Sequence, residues 1–328
     1  MSDLPAGWSP RSYRDDDAEE LVRLLQQVFD GWPGVEISVE PVDHLRWKLS
    51  SHDTAKQYSI VAELDGRLVG SQLLIARWVQ VGGQLLLSRI GTDMVVHPDY
   101  RKRGILAKMW ALREEARHRF DLNLGQGGHA ASRRLGRDTG RTEFGNATDI
   151  LVHRASDAPP PAGAAWTIAG ARTFDERIDG FFEEASRPYR FITVRNLEYL
   201  TWRYDLRAGD YSIRLAEDAG RILGYTVLAT SHGAGAIADL LVLPERLDVA
   251  ASLVADAIGQ FGRNAISEVS CAVPTHHPYR DVLEQLGFDA KRRTIPLNYR
   301  HAAGDDALAF IGDPLASIHV TLGDTDLV

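Results

Sequence analysis

The sequence predicts an α/β protein made of one unit used twice, each a mostly antiparallel mixed sheet flanked by helices. Two observations predict it. Segments recur in the same order in both halves. PVDHLRWKL (41–49) returns as RNLEYLTWRY (195–204), aligned at Trp47 and Trp202. QYSIVAELDGRLVG (57–70) returns as DYSIRLAEDAGRILG (210–224), and DMVVHP (93–98) as DLLVLP (239–244). Between the halves lies ASDAPPPAGAA (155–165), whose three consecutive prolines cannot extend a helix or a central strand. The expected organisation is a first unit over 1–154, a linker over 155–165, and a second unit with a C-terminal tail over 166–328.

Within the first unit each element has a reason. A strand near Ser12–Arg14 leads into a helix over Asp16–Phe29, with apolar residues at Leu21, Leu24, Leu25 and Val28. A second helix ends near Trp47. Two strands follow, joined by Asp65-Gly66, a strong hairpin signal. A longer apolar strand runs from Leu85 to Val96. The helix Gly104–Phe120 carries a stripe of Ile105, Met109, Leu112 and Ala116. A short strand at Leu122–Leu124, a helix around Ala130–Arg137 and a closing strand near Asp149–His153 complete the unit. This order makes a mixed sheet with helices on both faces.

The composition sets limits. Hydrophobic residues make up 44% and charged residues 25% of 328, the balance of a globular chain with room for two cores. The net charge of −8 argues against general attraction to nucleic acid or anionic membranes, so any anion site is local. The single cysteine, Cys271, excludes an internal disulfide, and no metal-ligand spacing is present, so no metal is expected. No signal-like N-terminus and no apolar run of membrane length is seen. A cytoplasmic protein is expected.

Against this acidic background, HPDYRKRGIL (97–106) concentrates positive charge. It follows an apolar strand and opens an amphipathic helix. The first N–H groups of a helix have no internal partner, and the helix dipole favours an anion there. Gly104 lacks a Cβ, so an anion can approach the backbone closely. Arg101, Lys102 and Arg103 add charge at the same point.

VVHPDYRKRGIL resembles motif A of the GNAT acetyltransferase superfamily, written V-x-P-x-x-R-x-x-G-x-G/A, with Val96, Pro98, Arg101 and Gly104 matching. The element order over residues 10–153 is similar to that fold, and the doubled unit resembles tandem-GNAT acetyltransferases. The resemblance implies that acetyl-CoA is the co-substrate. Its pyrophosphate would lie on the N–H groups of Arg103, Gly104, Ile105, Leu106 and Ala107. Its pantetheine arm would pair with Met94, Val95 and Val96, and N–H groups near Val95 and Val96 would stabilise the oxyanion. Leu106 departs from the motif, which has glycine or alanine there. The second unit reads LPERLDVAAS (243–252) at the matching place. It lacks the anchoring arginine and glycine and carries Asp248 where phosphate would lie, so only the first unit is expected to bind acyl-CoA.

Three residues are candidates for catalysis. Asp93 lies where the resemblance implies a base for the attacking amine, although Asp239 holds the same position in the second unit and a fold-supporting role explains both. A tyrosine often protonates the leaving thiolate in the family, but Gly136 stands at that position here. His129 and Ser132 are nearby donors. Arg133, Arg134, Arg137 and Arg141 read as a solvated row by default, with a grip on the CoA 3′-phosphate or on an acidic substrate as the alternative. Trp202, Tyr204 and Tyr189 read as core, and Leu283 replaces the tyrosine in the second unit. The expected function is N-acetylation of a primary amine on a small molecule by direct attack. The competing readings are a non-catalytic acyl-CoA-binding scaffold and a tandem-fold aminoacyl transferase, which would need a basic surface. The acceptor, the role of the tail ending at Val328 and whether the chain forms a homo-oligomer stay open.

Overall fold

The structure, a computed structural model, describes residues 7–126, 141–154, 165–301 and 306–325. Two mixed sheets organise it. The strands of the first half are β1 (Trp8–Ser12), β2 (Ile60–Leu64), β3 (Arg67–Val81), β4 (Gln84–Val96), β5 (Leu122–Gln126), β6 (Thr142–Glu143) and β7 (Thr148–Arg154). Those of the second half are β8 (Thr167–Ala171), β9 (Phe191–Thr193), β10 (Asp210–Asp218), β11 (Arg221–Ser231), β12 (Ala234–Val242), β13 (Glu268–Pro274), β14 (Ala290–Ile295), β15 (Leu297–His301) and β16 (Ile318–His319). The helices are α1 (Ala18–Phe29), α2 (Pro41–Leu49), α3 (Asp53–Tyr58), α4 (Ile105–Glu115), α5 (Arg177–Ala185), α6 (Leu197–Arg203), α7 (Leu247–Arg263) and α8 (Tyr279–Gln285).

The first sheet runs β1-β2-β3-β4-β5-β15-β6, with β9 on β3 and β16 on β9; the second runs β14-β7-β13-β12-β11-β10-β8. The two halves therefore exchange strands. β7, expected to close the first sheet, lies between β13 and β14 in the second, and β15 lies between β5 and β6 in the first. The proline run divides the chain but not the sheets. The physical reason is visible in β7, where every residue from Thr148 to His153 is buried. Such a strand needs neighbours on both edges, and Ile150 and Leu151 find theirs in the core of the second sheet.

The repeat is visible in three dimensions. Trp47 and Trp202 stack with centroids 5.2 Å apart, and each indole N–H donates to the other's carbonyl oxygen, at 2.6 and 3.0 Å. This reciprocal pair joins α2 to the end of α6 at the contact between the halves. The tail also bridges them. Asp324 accepts from Arg195 Nη2 at 2.8 Å, and its backbone oxygen accepts from Arg77 of the first half at 2.9 Å.

Helix α4 is shorter than expected and presents a different stripe. It gives way to a 3-10 turn over Ala116–Arg119, and its buried residues are Ile105, Met109, Trp110 and Arg113. Leu112 and Ala116 are only half-buried. Among the described residues, no helix is long and apolar enough to cross a membrane.

Candidate active site

The site is built where β4 and β5 part. Their parallel pairing covers Ser88–Leu122, Arg89–Asn123 and Ile90–Leu124, and then stops. From Gly91 onward β4 is paired only with β3, so the two strands diverge into a wedge. A bulge marks the same stretch, with the β3–β4 register slipping between Ser71 and Leu73 and Asp93 at φ 46°. His97 N–H donates to Val69 O at 2.8 Å, back toward β3. N–H directions alternate along a strand, so Val95 N–H also turns to β3 and Val96 N–H faces the wedge. Of the two N–H groups expected to meet an oxyanion, only Val96 faces the wedge.

The basic turn closes the mouth of this wedge. Pro98–Tyr100 forms a short 3-10 turn, and Arg101 Nε donates to Val96 O at 3.1 Å. Lys102 (φ 64°) and Gly104 (φ 81°) adopt left-handed backbone, the latter as the N-cap of α4. A residue with a Cβ is strained in that conformation, which explains the glycine. Ile105 anchors the helix, being buried against Ile60, Ala62 and Met109. The first helical bond recorded at this end is Lys108 N–H to Gly104 O at 3.1 Å, so the N–H groups of Ile105, Leu106 and Ala107 precede the ladder. Arg101, Lys102 and Arg103 are exposed beside them. Leu106 packs in part against the apolar cluster behind the helix, so its side chain does not take those N–H groups away.

Asp93 lies on the other face of β4, toward α1 and α2. Its Oδ1 accepts from Trp32 Nε1 at 2.8 Å. Its Oδ2 accepts from Thr92 Oγ1 at 3.0 Å and pairs with Lys48 Nζ at 2.8 Å. Both side chains of the ion pair are nearly inaccessible, at 4% and 6%. Ser71 Oγ donates to the Asp93 carbonyl at 2.8 Å. Trp32 and Lys48 do not figure in the sequence reading. Lys48 directly follows the aligned Trp47, but its counterpart Arg203 does not hold Asp239, which pairs with Arg195 instead, so the repeat gives no signal for it. His129, Ser132, Arg133, Arg134 and Arg137 lie outside the described residues. Arg141 is no solvated surface residue: its Nη1 donates to Asn298 Oδ1 at 3.1 Å and its guanidinium lies 5.4 Å from the Trp110 ring centroid.

The second sheet has the corresponding wedge, filled. The parallel pairing of β12 and β13 stops at Ile237–Cys271. Tyr279, at the start of α8, enters the gap, and its hydroxyl accepts from Val242 N–H at 2.9 Å. His277 and His319 pack beside it, 3.1 Å apart. Burial pushes the His277 imidazole down to about 3, and burial together with Arg195 holds His319 well below its usual range, so both stay neutral at neutral pH. Asp239, the counterpart of Asp93, accepts from Arg195, Tyr204, Tyr225 and the N–H of Leu240. Asp248 is paired with Arg246.

Residues 9–117 match the family model described as "Acetyltransferase (GNAT) domain". No curated protein sequence matches the chain. Among solved structures, a GCN5-related N-acetyltransferase from Anabaena variabilis is similar with a TM-score of 0.67 at 13% identity, covering 90% of this chain and 72% of that one. One from Kribbella flavida has a TM-score of 0.64 at 16% identity, covering 90% and 71%. Saccharomyces cerevisiae N-myristoyltransferase with bound myristoyl-CoA has a TM-score of 0.66 at 12% identity, covering 91% and 80%. At these identities the likeness concerns the fold.

Proposed function

We propose that this chain, whose residues 9–117 match the GNAT acetyltransferase domain model, transfers the acyl group of a CoA thioester to a primary amine of a small molecule. Acetyl-CoA is the donor that the family description points to. The observation that carries the reading is the open wedge of the first sheet, with Val96 N–H facing it and a basic helix start at its mouth.

The N–H groups of Ile105, Leu106 and Ala107, with Arg101, Lys102 and Arg103, would hold the pyrophosphate. Val96 N–H would bond the pantetheine arm or the thioester oxygen in the wedge. The amine attacks the thioester carbon, the oxyanion is held by strand N–H, the C–S bond breaks and CoA leaves as its thiol. Asp93 is our candidate to receive the amine's proton, directly or through water. Its Oδ1 accepts one recorded bond and so retains acceptor capacity. His129 and Ser132 are our candidates to protonate the leaving thiolate, a modest demand because a free thiol has a pKa of about 8.5.

The test is calorimetric titration of the full chain with CoA and acetyl-CoA, followed by thiol release on mixing with a panel of amines. Binding with amine-dependent thiol release is expected. No binding of either ligand at millimolar concentration would sink the reading, and tight binding without thiol release would move it to a non-catalytic acyl-CoA protein.

A further inference from the structure

The blind end of the first wedge is lined with charge. Gly91 and Gly125 are the first positions past the last parallel pair, one on each strand. A Cβ on Gly91 would lie 2.7–2.9 Å from three guanidinium atoms of Arg113, and a Cβ on Gly125 would collide with Nη1 of Arg141. At each place the missing side chain leaves room for a guanidinium. The two cations share one ring: Cζ of Arg113 and of Arg141 lie 5.1 and 5.4 Å from the Trp110 centroid.

Among the described residues these charges are only partly neutralised. Arg113 is 4% exposed. Its Nε and Nη2, and Nη2 of Arg141, are buried with no hydrogen-bond partner among the described residues. Arg89, fully buried, and Arg300 stand behind them, and the one carboxylate recorded as acting on Arg89, Arg113 and Arg141 alike is Glu114. Glu114 is already engaged by Arg89 at 3.5 Å and Arg300 at 2.9 Å. Burial, then the like charges of Arg89 and Arg141, pull the Arg113 pKa well below its usual value. A buried cation without a counter-charge costs several kcal/mol, and arginine does not escape that cost by losing its proton near neutral pH. Four guanidiniums facing one described carboxylate call for an anion from outside.

Position indicates where that anion belongs. Gly91 looks toward α4, the helix whose N-terminus carries the basic turn, whereas Asp93, Trp32 and Lys48 occupy the opposite face of β4. From Val96 to Gly91 is five residues, about 16 Å of strand, a length comparable to an extended pantetheine arm. With Val96 N–H on the start of the pantetheine arm, the thioester lies toward Gly91, and the arginines stand on the donor's side at the acyl end of that arm.

We propose that Arg113 and Arg141 form a carboxylate subsite, and that the preferred donor is the CoA monothioester of a short dicarboxylic acid. This rests on the first wedge being the acyl-CoA site. The geometry joins the two glycines, the shared tryptophan and the unpartnered guanidinium nitrogens into one cationic cluster at the end of the acyl path.

The test compares binding of CoA, acetyl-CoA and succinyl-CoA to the full chain by calorimetry, in the wild type, Arg113→Met and Arg141→Gln. Two charge-assisted bonds predict that succinyl-CoA binds the wild type about tenfold or more tighter than acetyl-CoA. In the variants that preference falls to within about twofold while binding of CoA itself changes little. Arg113→Met is also expected to melt no lower than the wild type, because it removes an unpaired buried charge; a clear loss of stability would mark Arg113 as structural and count against the subsite. Should Arg113→Met fail to fold, that too counts against it, and Arg141→Gln still reads the donor preference. Equal binding of the two thioesters to the wild type overturns the proposal, as does a preference that survives both substitutions. If carboxylate-bearing amines, rather than donors, show the dependence on Arg113, the assignment to the donor is overturned. Absence of CoA binding in the wild type would instead sink the cofactor reading on which the subsite rests.

Discussion

In the second sheet Val242 N–H donates to the Tyr279 hydroxyl; in the first, no described side chain takes the corresponding Val96 N–H. The turn differs as well. Eight residues separate Val96 from Ile105 in the first unit, four separate Val242 from Leu247 in the second, and the shorter turn carries no glycine. Both sheets have a bulge near the matching aspartates, and a hydroxyl from the neighbouring strand, Ser71 or Thr226, donates to each aspartate carbonyl. Asp239 is saturated by an arginine, two tyrosines and an N–H, while Asp93 retains acceptor capacity. The geometry of the wedge is thus a property of the fold. Whether it can take a ligand is decided by what fills it.

The largest expected effect breaks the filled side. Arg195 is fully buried and donates to both Asp239 and Asp324, with Nε at 3.0 Å and Nη2 at 2.8 Å. Arg195→Met removes the cation shared by two buried carboxylates, and removing one partner of a buried pair costs about 3–5 kcal/mol. Lys48→Met takes the cation from Asp93, which keeps its bonds from Trp32 and Thr92, so it should cost less. Denaturant midpoints of the two variants check the order. An equal or reversed loss would mean that the two aspartates are held alike.

The second effect concerns the open side. Replacing Arg101, Lys102 and Arg103 together by glutamine is expected to weaken acetyl-CoA binding about a hundredfold, since charge-assisted bonds of ~1.5–3 kcal/mol are discounted here for exposure and screening. The loss should shrink in high salt. Arg246→Gln, at the matching turn of the second unit, should leave binding unchanged. Titration calorimetry on both variants decides whether one turn or two serve the ligand.

Some of this contrast is legible in the sequence and some is not. The basic turn is legible because charge, glycine and the start of a helix are local signals within ten residues. The loss of that turn in the second unit is legible for the same reason, by alignment of DMVVHP with DLLVLP. The exchange of β7 and β15 is not, because equivalent strands of a repeat carry similar patterns and only the completed sheets choose between them. Arg113 is hidden because the apolar spacing of α4 points to Leu112 and Ala116, while the structure rotates Trp110 and Arg113 inward. Its place at the fourth residue after Met109 is a core position occupied by a charge, which is the kind of local inconsistency that marks functional sites. Lys48 is hidden by distance, 45 residues from the carboxylate it holds.

The smallest effect probes the plug itself. Tyr279 is buried, and its ring packs against His277 with centroids 4.4 Å apart. Tyr279→Phe keeps that ring and removes only the hydroxyl. Val242 N–H then loses its acceptor in a buried place, a cost of about 1 kcal/mol or somewhat more. Because the ring still fills the wedge, CoA should bind with the same stoichiometry as in the wild type, one per chain. A larger replacement of the plug, Tyr279→Ala, would confound loss of packing with opening of the gap, so the phenylalanine variant is the sharper instrument. An unchanged denaturant midpoint would show that the hydroxyl bond does not stabilise the closed wedge. A second equivalent of CoA would show that the hydroxyl alone, and not the filled volume, keeps the second sheet from acting as the first.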